Sequence, residues 1–347
     1  MRDPVKILAV LGSQGYSFSF FTPADVTAHK TFVEKNWPGT ITRSNYDYNK
    51  WKYGTRADGI NLLLCKKDDR IIGQIGYIPA TINIAGKVYD CVWGCNFKVE
   101  GDYKELGIGA ALEIFASQHF PVILGNTPSK DSIKYKQALG YKFLDGPRIL
   151  MFPVKTGHLL QLKGQSLPQA VLSAVSLLAD PLLKIYNNVR FPPTRNSWQL
   201  SDEQGIAARI DTKERSLTIP HIVHDERFLQ WRCNLPPDLR PKAKILAYTT
   251  DNSSYAIYSL TGRVLNIYDY FFANTGLLRS LMAHLLTVPG ISTLRIQANS
   301  DEEEQMLHKY GFIPFRQKTV ITAWSKDRLF DAFDKMYVTA YDGDMDI

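Results

Sequence analysis

The chain has 347 residues, 45% of them hydrophobic, with 23 Gly and 18 Pro. That balance excludes a disordered, low-complexity or collagen-like chain, and at roughly 100–200 residues per domain the length predicts two domains, or one large one. The net charge of +7, from 41 Lys+Arg against 34 Asp+Glu, is too mild to announce a nucleic-acid protein; it suits a site that holds a polyanionic small molecule.

The short apolar run 5–10 reads as a first strand. Arg2 precedes it, but no small-residue cleavage site follows at the distance a signal peptide needs. No stretch of ~18 uncharged apolar residues exists, so no transmembrane segment is expected. Four cysteines (Cys65, Cys91, Cys95, Cys233) are too few for a disulfide framework. Cys91 and Cys95 have C-x3-C spacing but no second pair, so they read as small buried side chains in a reducing cytoplasm, with no metal.

Thr22-Pro23-Ala24-Asp25 opens a helix: a capping hydroxyl, Pro at the first helical position and a carboxylate at the third. It runs to about Asn36, where Trp37-Pro38-Gly39 stops it. Residues 46–53 read as an aromatic, polar loop. Strands over 60–66, 70–85 and 88–99, with turns at Asp68-Asp69 and Ala85-Gly86, form an antiparallel meander. The pattern turns helical from 103 to about 118. A short strand (122–125), a helix (130–139, closed by Gly140) and a strand-like run (141–152) follow. Leucines recur at helical spacing over 155–190, where Pro168 and Pro181 divide short helices. Such a stripe predicts a connector packed on both halves; a bilayer-surface helix would carry a Lys/Arg-rich polar face that is missing here.

The second half repeats the first. Strands over 245–249, 254–260 and 264–272, a helix at 277–286, a strand at 293–298 and a helix at 301–309 closed by Tyr310-Gly311-Phe312 reproduce the element order. Trp231-Arg232-Cys233 echoes Trp51-Lys52-Tyr53 at an offset of 180 residues, and Gly311 echoes Gly140 at 171. The reading is two copies of one α+β domain: 1–154, a helical linker over 155–195, and 196–347.

The stretch 97–112 carries the chemistry. A strand ends at Phe97-Lys98-Val99, and a Gly-rich turn, Lys104-Glu105-Leu106-Gly107-Ile108-Gly109-Ala110-Ala111, opens a helix. Helix N-termini present unpaired N–H groups and partial positive charge, and two glycines let a phosphate approach the backbone. A P-loop would need Gly-Lys-Ser/Thr here, and a Rossmann turn would need a third Gly in parallel β-α-β context.

This turn, after a long antiparallel strand, resembles the signature of the GNAT superfamily of acyl-CoA-dependent N-acyltransferases, Gln/Arg-x-x-Gly-x-Gly/Ala. Lys104 stands in its first position. The later signature also has a counterpart. Gly125-Asn126 ends a short strand, Tyr135 lies in the next helix, and Gly140-Tyr141 closes it, with Tyr135 one residue further from that Gly than usual. The resemblance implies two GNAT-like domains in tandem, each a mixed, mostly antiparallel sheet flanked by helices. It implies acetyl-CoA or another acyl-CoA as co-substrate, with the pyrophosphate on the N–H groups of Gly107 to Ala111. Phe97, Lys98 and Val99 would pair with the pantetheine amides as an added strand, and Lys104, Glu105, Leu106 and Asn126 would complete the coenzyme site. The second half lacks the turn (Phe271-Phe272-Ala273-Asn274-Thr275-Gly276 stands in its place), so coenzyme binding there is expected to be lost.

Tyr135 is the candidate acid for the leaving thiolate. Glu100 is the candidate base, ahead of Asp102 and the more distant Asp90. Cys95 has no His placed by motif to activate it. Trp37, Trp51, Tyr53 and Trp231, with Tyr46 and Tyr48, are candidate acceptor-binding aromatics. His221 and His224 lack the i, i+4 spacing of a helical metal pair and read as surface residues before a helix starting at Asp225. The Asn49-Lys50-Trp51-Lys52-Tyr53 loop and Phe228-Leu229-Gln230-Trp231-Arg232 are similar to tandem acyltransferases of bacterial surface-polysaccharide and amino-sugar biosynthesis. That likeness implies a small-molecule amine acceptor such as an amino-sugar nucleotide. The competing readings are a Fem-type transferase using aminoacyl-tRNA and a non-catalytic acyl-CoA-binding module.

Overall fold

The computed structural model describes residues 4–157, 168–192, 198–233, 243–251 and 253–342. Two mixed sheets organise it. Strands β1 (Tyr16–Phe21), β2 (Thr55–Arg56), β3 (Gly59–Lys67), β4 (Arg70–Ile84), β5 (Lys87–Val99), β6 (Val122–Asn126) and β7 (Lys142–Asp145) belong to the first sheet. The second holds β8 (Arg148–Pro153), β9 (Trp198–Ser201), β11 (Lys244–Tyr248), β12 (Tyr255–Thr261), β13 (Val264–Phe271), β14 (Thr293–Ala298) and β15 (Ile313–Pro314). Two further strands, β10 (His221–Ile222) and β16 (Val320–Ser325), join the first sheet, whose main path is β1-β3-β4-β5-β6-β16-β7. The second sheet runs β15-β8-β14-β13-β12-β11-β9.

The halves exchange strands. β8, from the end of the first half, pairs with β14 in the second sheet, while β16, from the second half, lies between β6 and β7 in the first. The sequence boundary at 154 therefore does not coincide with the edge of either sheet. The run 141–152 is two strands in two sheets, parted at Gly146-Pro147, where a Cβ on Gly146 would lie 2.5 Å from Thr319 Oγ1. Separating the halves would strip two inner strands of their ladders, so the exchange ties them into one unit.

The meander forms as its turns dictate. Asp68 and Asp69 (φ 48° and 61°) and Ala85-Gly86 (φ 53° and 81°) adopt the left-handed pair that a tight hairpin demands. Helices α1 (Pro4–Ser13), α2 (Val26–Asn36), α3 (Ile41–Ser44), α4 (Tyr46–Tyr53), α5 (Ile108–Ser117) and α6 (Lys130–Ala138) flank the first sheet. The second half adds α7 (Gln169–Arg190), α8 (Glu203–Glu214), α9 (Glu226–Cys233), α10 (Gly276–Leu285) and α11 (Asp301–Lys309).

Four expectations need correction. Residues 5–10 are helix α1, not a strand, because Ile7, Leu8 and Leu11 repeat at helical spacing and pack on one core; the first strand follows Gly15 (φ 84°). The 46–53 loop is helix α4, capped by the Asn45 side chain on the Tyr48 N–H and ended by Gly54 (φ 68°). The connector over 169–190 is one 22-residue helix with Pro181 inside it. Its Leu177, Leu178, Leu182, Ile185 and Val189 are 61–78% exposed instead of packed on both halves; residues 158–167 of that stretch lie outside the described residues. His221 and His224 are buried, not on the surface.

Candidate active site

β5 and β6 run parallel, in register from Val92↔Ile123 to Gly94↔Gly125, and then part. Just beyond, β5 bulges. Gln74 faces Lys98 and Gly76 faces Cys95, so Asn96 and Phe97 oppose the single Ile75, and Asn96 takes φ 49°. A cavity of about 340 Å³ fills the parting. It reaches both faces of the sheet: Trp93 and Cys95 belong to the core under α2 and α4, whereas Glu113 of α5 and Tyr135 and Lys136 of α6 come from the other side.

The Gly-rich turn lies at the end of the bulged strand. Residues 101–106 form a 3-10 turn, and Gly107 (φ 78°) begins α5 with no side-chain cap and no acidic residue in the first turn. The first intrahelical bond into that end is Ala111 N–H to Gly107 O, at 3.0 Å. The N–H groups of Ile108, Gly109 and Ala110 thus end the helix with its positive dipole outward. A Cβ on Gly107 would meet nothing within 4 Å, so this corner is open. A Cβ on Gly109 would lie 2.9 Å from the Phe97 ring, which rests on the glycine and extends toward Tyr135, with ring centres 6.5 Å apart. Lys104, Glu105 and Leu106 are exposed on the approach. Phe97 and Asn126 line the parting, whereas the Val99 side chain is buried in the core and Lys98 pairs with Gln74.

Glu113 and Lys136 hold buried charge at the cavity wall. Lys136 Nζ donates to Glu113 Oε1 (2.5 Å), and Tyr141 and Tyr77 donate to Oε2 at 2.5 and 3.4 Å. Glu113 is 2% exposed, and the four groups satisfy one another as a buried network must. Burial first, then the Glu113 charge, pushes the Tyr77 and Tyr141 phenols well up. Tyr135 is raised for the same reasons, and its hydroxyl is buried without a hydrogen-bond partner. It therefore stays a protonated donor in the wall of the parting. Sequence reasoning missed Glu113 and Lys136. The signal was an acid inside the otherwise apolar helix IGAALEIFAS.

The other candidates are dispersed. Glu100 does not line the cavity; its buried carboxylate sits between Lys35 (3.0 Å) and Arg70 (3.4 Å). Asp102 is exposed on the 3-10 turn, and Asp90 lines a different cavity. Tyr53 is 1% exposed beneath Gly76, where a Cβ would lie 2.3 Å from its ring. Its hydroxyl accepts from Asn96 Nδ2 at 2.7 Å. Asn96 O in turn accepts from Gln74, which bonds the buried His29 Nε2 (3.0 Å). This chain holds the bulge from behind. Trp51 and Trp231 pack ring on ring across the two halves (5.4 Å) and line a cavity of about 610 Å³ with Asp90, Arg56 and Arg227. Trp37 stands apart, covered by the Arg43 guanidinium at 4.9 Å.

A parted parallel pair, a bulge on the longer strand and an open glycine-led helix end in one corner make a slot for an extended ligand with an anionic end. Neither a protein-family model nor a curated protein matches the sequence. Solved structures do. A GCN5-related N-acetyltransferase from Anabaena variabilis superposes with a TM-score of 0.59 at 9% identity, covering 89% of this chain and 72% of that one. The chain has the GNAT fold. A putative acetyltransferase from Pyrococcus horikoshii (TM-score 0.52, 13% identity) covers 94% of this chain and 95% of its own. Saccharomyces cerevisiae N-myristoyltransferase, solved with bound myristoyl-CoA, gives 0.54 at 11% identity over 89% of this chain and 82% of that one. These similarities span both halves, as expected of a tandem GNAT architecture. Among the described residues no cluster could hold a metal ion, and no helix is long and apolar enough to cross a membrane.

Proposed function

We propose that the protein is an acyl-CoA-dependent N-acyltransferase acting on a primary amine, with an amino-sugar nucleotide as the acceptor class. The observation that carries this reading is the uncapped, glycine-led start of α5 beside the β5–β6 parting. The α5 amides would hold the pyrophosphate and the unpaired edge of β5 would take the pantetheine as an added strand. The myristoyl-CoA bound to the yeast neighbour supports an acyl-CoA as the donor.

In the reaction the neutral amine attacks the thioester carbonyl carbon. The C–N bond forms, the C–S bond breaks, and the electron pair leaves on sulfur. An amine of pKa near 10 is about one part in a thousand neutral at pH 7, which costs ~4 kcal/mol. One amine proton passes to solvent, since the one carboxylate lining this cavity, Glu113, is held by three donors. An N–H at the Asn96–Phe97 bulge would support the developing oxyanion, worth roughly 3–4 kcal/mol per well-placed donor in other enzymes. Tyr135 would donate a hydrogen bond to the departing sulfur, which takes up a proton from solvent and leaves as the thiol.

Calorimetry with acetyl-CoA, and thiol release in the presence of amines, test the reading. Wild type should bind, and the double variant G107V/G109V should lose about 100-fold or more. Valine would strain the backbone at φ 78° and drive into the Phe97 ring. Failure of wild type to bind acetyl-CoA and myristoyl-CoA, or unaltered binding by the variant, would sink it.

A further inference from the structure

A larger cavity lies elsewhere, between the two halves, with a volume of about 1150 Å³. It opens on the counterpart of the parting just described. In the second sheet β13 and β14 run parallel from Val264↔Thr293 to Asn266↔Arg295 and then part. At the matching step the first sheet has Gly94 and Gly125, which bear no side chains. Here the chain places an amide and a guanidinium instead, and both line the cavity.

Neither is satisfied by the protein. Asn266 is 2% exposed, and both its Oδ1 and Nδ2 lack a hydrogen-bond partner. Burying an amide without hydrogen-bond partners is unfavourable. Arg295 Nε is likewise buried and unpartnered, and among the described residues no carboxylate pairs with Arg295. A second guanidinium, Arg316, is brought beside it: both lie against the Phe315 ring, at 5.0 and 5.2 Å from its centre. Burial, and then the charge of Arg316, hold the Arg295 pKa below its ordinary value. Two like charges share one wall, and among the described residues no ion pair compensates them. The cavity's carboxylate, Asp145, is exposed and lies near Lys318, whose ammonium is engaged by Asp301 at 2.7 Å. The cavity wall offers cationic and amide recognition for which the described residues supply no partner.

We infer that this cavity binds the anionic group of a small ligand, a phosphate or carboxylate held by Arg295 and Arg316, with Asn266 reading an adjacent polar edge. Resting on the function proposed above, the ligand is the acyl acceptor itself. The cavity shares Asn126, Thr127 and Pro128 with the β5–β6 parting, so an amine anchored by its anion opens directly toward the thioester slot.

The test titrates the full chain calorimetrically with uridine diphosphate, inorganic phosphate and citrate. The first two arms read phosphate recognition and the third carboxylate recognition. At least one probe should bind, and R316A, an exposed position that leaves the core intact, should weaken it about tenfold, as loss of a charge-assisted hydrogen bond does. R295Q and N266L should weaken it further, while acetyl-CoA affinity stays at the wild-type value in R316A. With acetyl-CoA and a free primary amine bearing the preferred anion as acceptor, R316A should raise the KM for the amine and spare kcat. Absence of binding by all three probes, or unchanged affinity in both arginine variants, overturns the site. Loss of acetyl-CoA binding in wild type, with anion binding intact, would instead overturn the transferase reading and leave the site standing.

Discussion

The two halves have the same frame and opposite fillings. In the first, glycines flank the parting, the following turn is open, and the charged pair Glu113–Lys136 stays at the wall. In the second, the strand beyond the parting carries Asp269, fully engaged by Lys213, the Tyr255 hydroxyl and the Tyr270 N–H. Its helix α10 starts at Gly276, after Phe271–Thr275, with no left-handed glycine. Counted back from the closing glycines Gly140 and Gly311, Tyr135 corresponds to Met306 and Lys136 to Leu307. The contrast teaches that the fold alone does not make a coenzyme slot. Bare backbone makes it, and side chains in the same place turn it into structure or into a different recognition surface.

The sharpest way to break the comparison is to unpair each buried ion pair. Removing one partner of such a pair strands a charge, which typically costs 3–5 kcal/mol. K136M and K213M should both lower the unfolding free energy by about that amount, measured by urea denaturation. Only K136M should also weaken acetyl-CoA binding, since Glu113 would then expose an uncompensated charge to the slot. Equal loss of coenzyme binding in both would erase the distinction between the halves.

Two buried histidines supply the next test. His29, in the first half, donates to or accepts from only Gln74; burial holds its pKa at about 4. His224, in the second, lies between Glu214 (2.6 Å) and Asp342 (2.7 Å). Burial opposes its charge, but Asp342 and then Glu214 prevail and raise it to about 10. The signs differ. His224 contributes stability that is complete below its unfolded pKa near 6.5 and is lost as pH rises through about 10. His29 contributes stability present above about 6.5 and lost as pH falls through about 4. H224Q should cost on the order of 3 kcal/mol at pH 6 and flatten the alkaline limb. H29Q should flatten part of the acid limb. An alkaline limb unchanged in H224Q would remove the buried imidazolium.

Much of this was legible in the sequence, for identifiable reasons. The meander was readable because Asp68-Asp69 and Ala85-Gly86 are turn chemistry between alternating strands, and α5 because Gly107 and Gly109 punctuate it. The second half's element order was readable from the same signals. The strand exchange was not, since β8 and β16 look like any terminal strand and only their partners, distant in sequence, assign the sheet. α1 failed because a six-residue apolar run has no decisive period. Glu100 was chosen for adjacency along the chain, while Glu113 is brought to the slot by helix geometry from a face that reads as pure core. His224 could not be placed because the carboxylates that justify its burial lie 10 residues before and 118 after it.

The smallest expected effect discriminates most finely between the halves, because it concerns one oxygen. Tyr135 has a buried hydroxyl with no partner, where the second half makes do with Met306 in its apolar core. A hydroxyl in that state is a burden on folding, so Y135F should leave stability unchanged or raise it by about 1 kcal/mol. If the hydroxyl exists to meet the departing sulfur, kcat should fall about 10- to 100-fold with acetyl-CoA affinity unchanged. The same substitution thus lowers turnover without lowering stability, which a packing role cannot do. Stopped-flow thiol release beside thermal unfolding reads both. An unaltered kcat would take Tyr135 out of the chemistry and leave the first half's slot without a proton donor.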